Sequence, residues 1–224
     1  MASRTARAKT LAKVKSGGKS RAPRSRKEPA DDAGDGARAS GAQSRILRII
    51  GGRHRGRRLR FPAGVEIRPT PDRVRETLFN WLQPRLDGAR VLDLFAGSGA
   101  LGLEALSRGA AQVTFVERDR KAAAAIDQLL KDWREDSGTV VCADASEWLR
   151  RPGGGFDVVF LDPPYDSSLL AQAVAALNEQ GHLAADARVY LERRARDPLP
   201  ALPAGWRELR AGRAGEVGYH LFSV

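Results

Sequence analysis

The sequence predicts an α/β protein in which a mostly parallel sheet carries helices on both faces, preceded by a β-hairpin and a helix. Three observations carry this. Short apolar runs alternate with stretches of helical periodicity from Val91 to Leu191, a rhythm that implies right-handed crossovers between parallel strands. A glycine-rich loop, Gly97-Ser98-Gly99-Ala100-Leu101-Gly102, joins the first of these strands to the helix that follows. In the closing segment, "WRELRAGRAGEVGYHLFSV", two strand-like runs are separated by a short glycine-containing stretch and should pair antiparallel.

The domain begins at Arg45, where the composition changes. In "RILRIIGGRHRGRRLRFP" the apolar Ile46 to Ile50 run meets a Gly51-Gly52 break, and Leu59 and Phe61 then alternate with Arg58 and Arg60. Period two around a glycine loop predicts a hairpin over residues 45–69 with one apolar and one basic face. In "RPTPDRVRETLFNWL", Thr70 is the expected N-cap, Pro71 the first helical residue and Asp72 a favourable first-turn acid. Val74, Leu78 and Trp81 form the apolar stripe of this helix, which is expected to end near Gln83-Pro84. Val91 to Phe95 reads as a buried strand, Leu101 to Leu106 as a helix and Gln112 to Glu117 as the next strand. Ile126, Leu129, Leu130 and Trp133 mark a helix by their spacing. Thr139 to Cys142, Asp157 to Leu161 and Arg188 to Leu191 supply three more strands, with helices around Ser146 to Arg150 and Leu169 to Leu177.

Composition narrows the function. The net charge is +11, and Met1 to Ser44 holds 11 Lys/Arg against 4 Asp/Glu, leaving a mildly basic remainder of 27 against 23. This 1–44 tail has almost no large apolar residues and reads as disordered. Its charge suits a polyanion, although an organelle transit peptide is also rich in Arg and Ser. No apolar run approaches the roughly 18 residues of a membrane span, so a soluble, cytoplasmic protein is expected. The single Cys142 forbids an internal disulfide and, lying in "TVVCA", is expected in the core. His54, His182 and His220 are far apart in the chain, and no metal site is expected.

Two stretches carry chemistry. The glycine loop lies between a strand and a helix, where free N–H groups face an anionic ligand, and Glu117 ends the next strand where an acid can accept from a ribose. A nicotinamide dinucleotide is thus one candidate. Asp93 inside the first strand argues against it, because a carboxylate there suits a ligand bearing positive charge. The second stretch is "VFLDPPYDSS", Val159 to Ser168. Its two prolines remove backbone donors and stiffen the turn, which holds the neighbouring groups in fixed directions. A plain connecting turn is the alternative.

"LDLFAGSGALGLEALSRGA", followed by "VERD", "ADA" and "FLDPPY", resembles the class I S-adenosylmethionine-dependent methyltransferases that modify exocyclic amino groups. Together with "RIIGGRHRGRRL" and "RPTPDRVRETLFNWL" it is similar to the RsmD family of 16S rRNA guanine-N2 methyltransferases, over Arg45 to Val224. The resemblance implies a Rossmann-like fold with a seven-stranded sheet, six strands parallel and one antiparallel near the end. It implies a pocket for S-adenosylmethionine in which Asp93, Phe95, Gly97, Ser98 and Gly99 surround the methionine part and Glu117 takes the ribose. Asp144 with Ala145 would reach the adenine, and Thr70 and Arg73 would close over the methionine end. Many relatives carry Asn in the helix after "VERD" where Leu129 stands here.

In this reading Asp162 and the Pro163 carbonyl accept the two N–H bonds of a poorly nucleophilic amino nitrogen, freeing its lone pair, while Pro164 keeps the turn rigid. Tyr165 stacks on the base. The target base must be unstacked to reach such a pocket. Arg53, Arg55, Arg57, Arg58 and Arg60 would grip RNA phosphates. The expected partner is 16S rRNA, in the assembling or assembled 30S subunit, met by a monomer. The competing readings are methylation of adenine N6 in DNA, methylation of a protein glutamine, and an RNA-binding module without catalysis.

Overall fold

The computed structural model describes residues 47–59, 70–165 and 168–224. The basic tail, the start of the hairpin at Arg45 and Ile46, Arg60, Phe61 and the rest of the segment to residue 69 lie outside them.

The hairpin consists of β1 (Leu47–Arg48) and β2 (Arg58–Leu59), paired antiparallel with Leu47 opposite Leu59. Leu47, Ile49 and Leu59 are buried while Arg48 and Arg58 are exposed, as the alternation requires. Helix α1 (Asp72–Leu86) follows. Two expectations fail here. Pro71, not Thr70, occupies the N-cap position, and no side chain caps the helix. Thr70 stands one residue before the cap, and its hydroxyl is turned to the buried Glu192, to which it donates at 3.0 Å. The helix also continues through Pro84 to Leu86. The bond that Pro84 cannot make would go to Asn80, whose exposure lets water replace it.

A seven-stranded sheet has the order β5-β4-β3-β6-β7-β9-β8. Its strands are β3 (Arg90–Asp93), β4 (Gln112–Glu117), β5 (Gly138–Cys142), β6 (Phe156–Leu161), β7 (Leu183–Arg194), β8 (Arg207–Ala214) and β9 (Val217–Ser223). Strands β3 to β7 pair parallel, and β9 pairs antiparallel with both β7 and β8. β9 alone is therefore reversed, as expected. Between the strands run α2 (Ala100–Ser107), α3 (Arg120–Trp133), α4 (Ala145–Leu149) and α5 (Leu169–Glu179).

The strands are apolar on both faces because both are covered. Along β6, Val158 and Phe160 pack with α1, α2, α3 and the hairpin, while Val159 and Leu161 pack with α4 and α5. Each of these fully buried side chains contributes about 1.5–3 kcal/mol over its exposed state. The expectation for Cys142 fails: it is exposed, since β5 is an edge strand and the residue sits at its end.

Buried polar groups seat the hairpin on α2. Glu104, fully buried, accepts the Ile50 amide proton at 2.7 Å and the Gly51 amide proton at 2.8 Å. Arg108 donates to the same carboxylate at 2.6 Å, and Arg75 stands 3.8 Å from it. Gly52 adopts φ +74, and a Cβ there would lie 1.8 Å from the Ser107 carbonyl oxygen, so this turn requires glycine.

Candidate active site

A cavity of about 870 Å³ opens at the C-terminal edge of the parallel strands. It lies where β3 and β6 are neighbours and the connections diverge to opposite halves of the sheet, the position at which α/β sheets bind ligands. Its lining joins Thr70, Asp93, Phe95, Gly97, Ser98, Glu117, Asp144, Ala145 and the run Asp162 to Tyr165. Gly99 and Arg73 are not part of the lining. Arg73 is exposed on the first turn of α1, and Gly99 is buried in the loop, where a Cβ would meet the Ile126 side chain at 3.0 Å.

The loop after β3 is built by its glycines. Gly97 and Gly99 have φ +50 and +68, values that disfavour other residues. Gly99 is the N-cap of α2 and offers no side chain to the helix. Asp93 performs that task from the neighbouring strand: its Oδ2 accepts the Gly102 amide proton at 2.9 Å. Gly102 lies so close to β4 that a Cβ would meet the Phe115 ring at 2.2 Å. Asp93 is buried, which raises its pKa to about 7; the Gly102 bond works against this shift and the Glu117 charge adds to it. A buried carboxylate with a strained charge favours a cationic ligand group.

Glu117 is oriented by two backbone amides. Oε2 accepts from Gly97 and Oε1 from Asp119, each at 2.7 Å. Each oxygen retains a lone pair, the arrangement a vicinal diol needs. Asp144 is the N-cap of α4 through Oδ1, which accepts from Ser146 at 2.8 Å and from Glu147 at 3.4 Å. Beside these acids the apolar Phe95, Val116, Ala122, Ala145 and Leu169 line the cavity and can clasp a flat ring. A carboxylate for a cation, a second for a diol and an apolar slot fit S-adenosylmethionine in kind.

On the opposite wall, Asp162 follows β6 and leads into Pro163, which is buried, and Pro164, which is exposed. Tyr165 is half-buried, with the Arg194 guanidinium 5.8 Å from its ring centroid. Sequence reasoning missed Arg194 and Leu169 in the lining and Glu192 behind it. The signal for Glu192 was its place two residues after Tyr190 in a strand, which puts both on one buried face.

The arginines of the hairpin divide by surroundings. Arg53 donates to Glu135 at 2.5 Å, and His54 makes a 3.0 Å contact with the same oxygen. Partial burial opposes ionisation of Glu135, but the His54 bond and the Arg53 charge hold its pKa below the usual carboxylate range. Arg57 lies over the Trp133 ring at 5.3 Å. Arg55 and Arg58 are exposed. The Arg53 and His54 amides bond to Ser107 at the far end of α2, so the tip lies near the end of the sheet opposite the cavity. Arg60 falls outside the described residues.

The family model Conserved hypothetical protein 95 matches residues 47–223. The chain is 45% identical over 176 residues to ribosomal RNA small subunit methyltransferase D of Escherichia coli K12, an alignment covering 79% of this chain and 89% of that protein. The protein of the same name in Haemophilus influenzae is 41% identical over 180 residues, with 79% and 93% covered. Among solved structures, the Escherichia coli yhhF structure, described as a methyltransferase, superposes with a TM-score of 0.75 at 43% identity, over 80% of this chain and 97% of that one. A hypothetical protein of Thermus thermophilus gives a TM-score of 0.67 at 32% identity, over 80% and 100%.

Proposed function

This chain belongs to the Conserved hypothetical protein 95 family, the RsmD family, and on that premise we propose that it methylates the exocyclic N2 amino group of a guanine in 16S rRNA. S-adenosylmethionine, bound along Asp93, Gly97, Glu117 and Asp144, supplies an electrophilic methyl group on a sulfonium. One observation carries the reading: the Asp162 to Tyr165 run lines the same cavity as those four residues. A carboxylate and a prolyl carbonyl able to accept amino hydrogens thus share one space with the residues proposed to hold the methyl donor.

The protein groups perform three tasks in this reaction. Asp162 and the Pro163 carbonyl accept the amino hydrogens, which turns the nitrogen lone pair away from the ring and toward the methyl carbon. The proline-fixed turn keeps the acceptors aimed, so positioning supplies much of the rate. Tyr165 stacks on the base, contributing about 1–3 kcal/mol. A paired guanine hides its amino group, so an unstacked nucleotide enters. Exposed Arg55 and Arg58, near the end of the sheet opposite the cavity, hold phosphates of the RNA remote from the target nucleotide. Both curated relatives above are named for small-subunit rRNA, which supports a 30S particle or its precursor as the substrate; we take the enzyme to act as a cytoplasmic monomer.

Incubation with methyl-labelled S-adenosylmethionine and small ribosomal subunits, naked 16S rRNA or DNA tests the reading. Label is expected in the rRNA, at a guanine released on digestion as the N2-methyl derivative. Label confined to DNA or to protein overturns it.

A further inference from the structure

Two carboxylates stand side by side at the edge of the sheet, and only one of them lines the cavity. β6 and β7 are paired with Phe160 beside Tyr190 and Leu161 beside Leu191. Asp162 and Glu192 are the next pair in that register. Glu192 is 2% exposed. Its Oε1 accepts the Thr70 hydroxyl at 3.0 Å and the Tyr190 phenol at 2.8 Å. Thr70 Oγ1 also stands 3.5 Å from Asp162 Oδ2. Thr70 therefore bridges two carboxylates 30 positions apart in sequence, one just after β6 and one within β7.

A threonine hydroxyl has one proton and two lone pairs. The shorter contact assigns the proton to Glu192, which leaves lone pairs facing Asp162. Tyr190 is a constant donor: burial, with the adjacent Glu192 charge, pushes its pKa well above 10.0. Tyr219 of β9 is the cross-strand neighbour of Glu192. Protonation of Asp162 would turn the long Thr70 contact into a hydrogen bond and complete a chain from cavity to Glu192.

We propose that Glu192 is a positioning residue for the methyl transfer, acting through Thr70 to draw the released proton away from Asp162. The inference rests on the amino-methylation reading above. The amino nitrogen forms its bond to the methyl carbon as the C–S bond breaks and leaves its electron pair on sulfur. The nitrogen is then a cation with a proton to lose. Asp162 accepts that proton and passes one to Thr70 Oγ1, while the Thr70 hydroxyl proton moves to Glu192 Oε1. Nitrogen ends neutral, Asp162 is again ionised, and Glu192 holds the proton until product leaves, when it returns through Thr70 and Asp162 to water in the cavity.

The test uses full-length protein carrying Glu192→Gln, Thr70→Val, Thr70→Ser or the Glu192→Gln/Thr70→Val pair. Glu192→Gln and Thr70→Val are each expected to lower kcat by on the order of 10- to 100-fold and to leave KM for RNA unchanged. The double variant should be no slower than either single, because both interrupt one chain. Thr70→Ser should recover most of the rate lost in Thr70→Val. In ligand-free protein labelled at glutamate carboxyl carbons, the Glu192 resonance, identified by its loss in Glu192→Gln, should move in Thr70→Val and stay in Thr70→Ser. A folded Glu192→Gln with normal kcat, or losses that multiply in the double variant, overturns the inference. If Glu192→Gln does not fold, the Thr70 pair decides by the same criteria. Failure of the unaltered protein to methylate RNA overturns the proposed function instead, and the carboxyl resonances still test the Thr70 link on their own.

Discussion

Asp93 Oδ2 and the Gly102 amide are joined by a 2.9 Å hydrogen bond, so one buried carboxylate holds the end of β3 and the third residue of α2 together. That bond closes the loop carrying Gly97 and Gly99, and the same carboxylate faces the cavity. The cost of burying it appears in its pKa, raised to about 7.

This shift gives a stability profile with a definite sign. From its ordinary 3.8 up to about 7, the folded protein holds a proton on Asp93 that the unfolded chain has lost. The stabilisation is complete at the acidic end of that window and is lost as pH rises through it. Denaturant unfolding across the window should show this decline, and Asp93→Asn, which keeps an acceptor for Gly102, should flatten it. Calorimetry should show affinity for S-adenosylmethionine rising with pH over the same range in the unaltered protein only.

Gly102→Ala tests the seat of the loop. The added methyl would lie 2.2 Å from Phe115 Cε1, and overpacking of this kind costs about 1–3 kcal/mol. A lower denaturation midpoint together with weaker cofactor binding is expected, since relief of the clash moves the start of α2.

Glu104→Ala should release the hairpin. The change removes the acceptor for Ile50, Gly51 and Arg108 and one of two carboxylates beside the buried Arg75 guanidinium, Asp72 remaining at 2.6 Å, a loss of about 1–3 kcal/mol from the unsatisfied buried groups. Hydrogen exchange provides the local readout: the Ile50 and Gly51 amides should lose protection before those of β3 and β6.

Asp162→Ala should abolish turnover and leave cofactor affinity nearly intact, because the methionine and ribose ends meet other residues. Equilibrium binding and single-turnover methylation, measured on one preparation, check both halves. Normal turnover in this variant would remove the carboxylate from the mechanism.

Replacing Arg55, Arg57 and Arg58 with Ala should weaken RNA association and flatten its dependence on salt, by a slope of about 0.7–0.9 for each phosphate no longer neutralised. Arg57 also covers Trp133, so its separate replacement should cost some stability as well. Unchanged affinity at several salt concentrations would exclude the hairpin from RNA binding.

Much of the architecture was legible because its signals are local. The run at Val158 to Leu161 is apolar at every position, which is the mark of a strand covered on both faces. Gly97 and Gly99 were readable as a loop because their positive φ values are a property of the residue type. Thr70 was misread for the opposite reason. Its sequence neighbours favour a cap, and the residue that holds its hydroxyl instead, Glu192, lies 122 residues away. Cys142 was misplaced because an apolar run does not declare whether its strand lies at the centre or the edge of a sheet.

The sequence alone determined the alternation of strands and helices, the glycine loop, and the acids at the strand ends, each following from periodicity, backbone freedom or residue chemistry within a few positions. The tertiary structure decided which of those ends face one another. Strand register set Asp162 beside Glu192 under the Thr70 hydroxyl, and Glu104 moored the arginine hairpin to α2, because contacts between distant segments depend on how whole elements pack and no short window of residues encodes that packing.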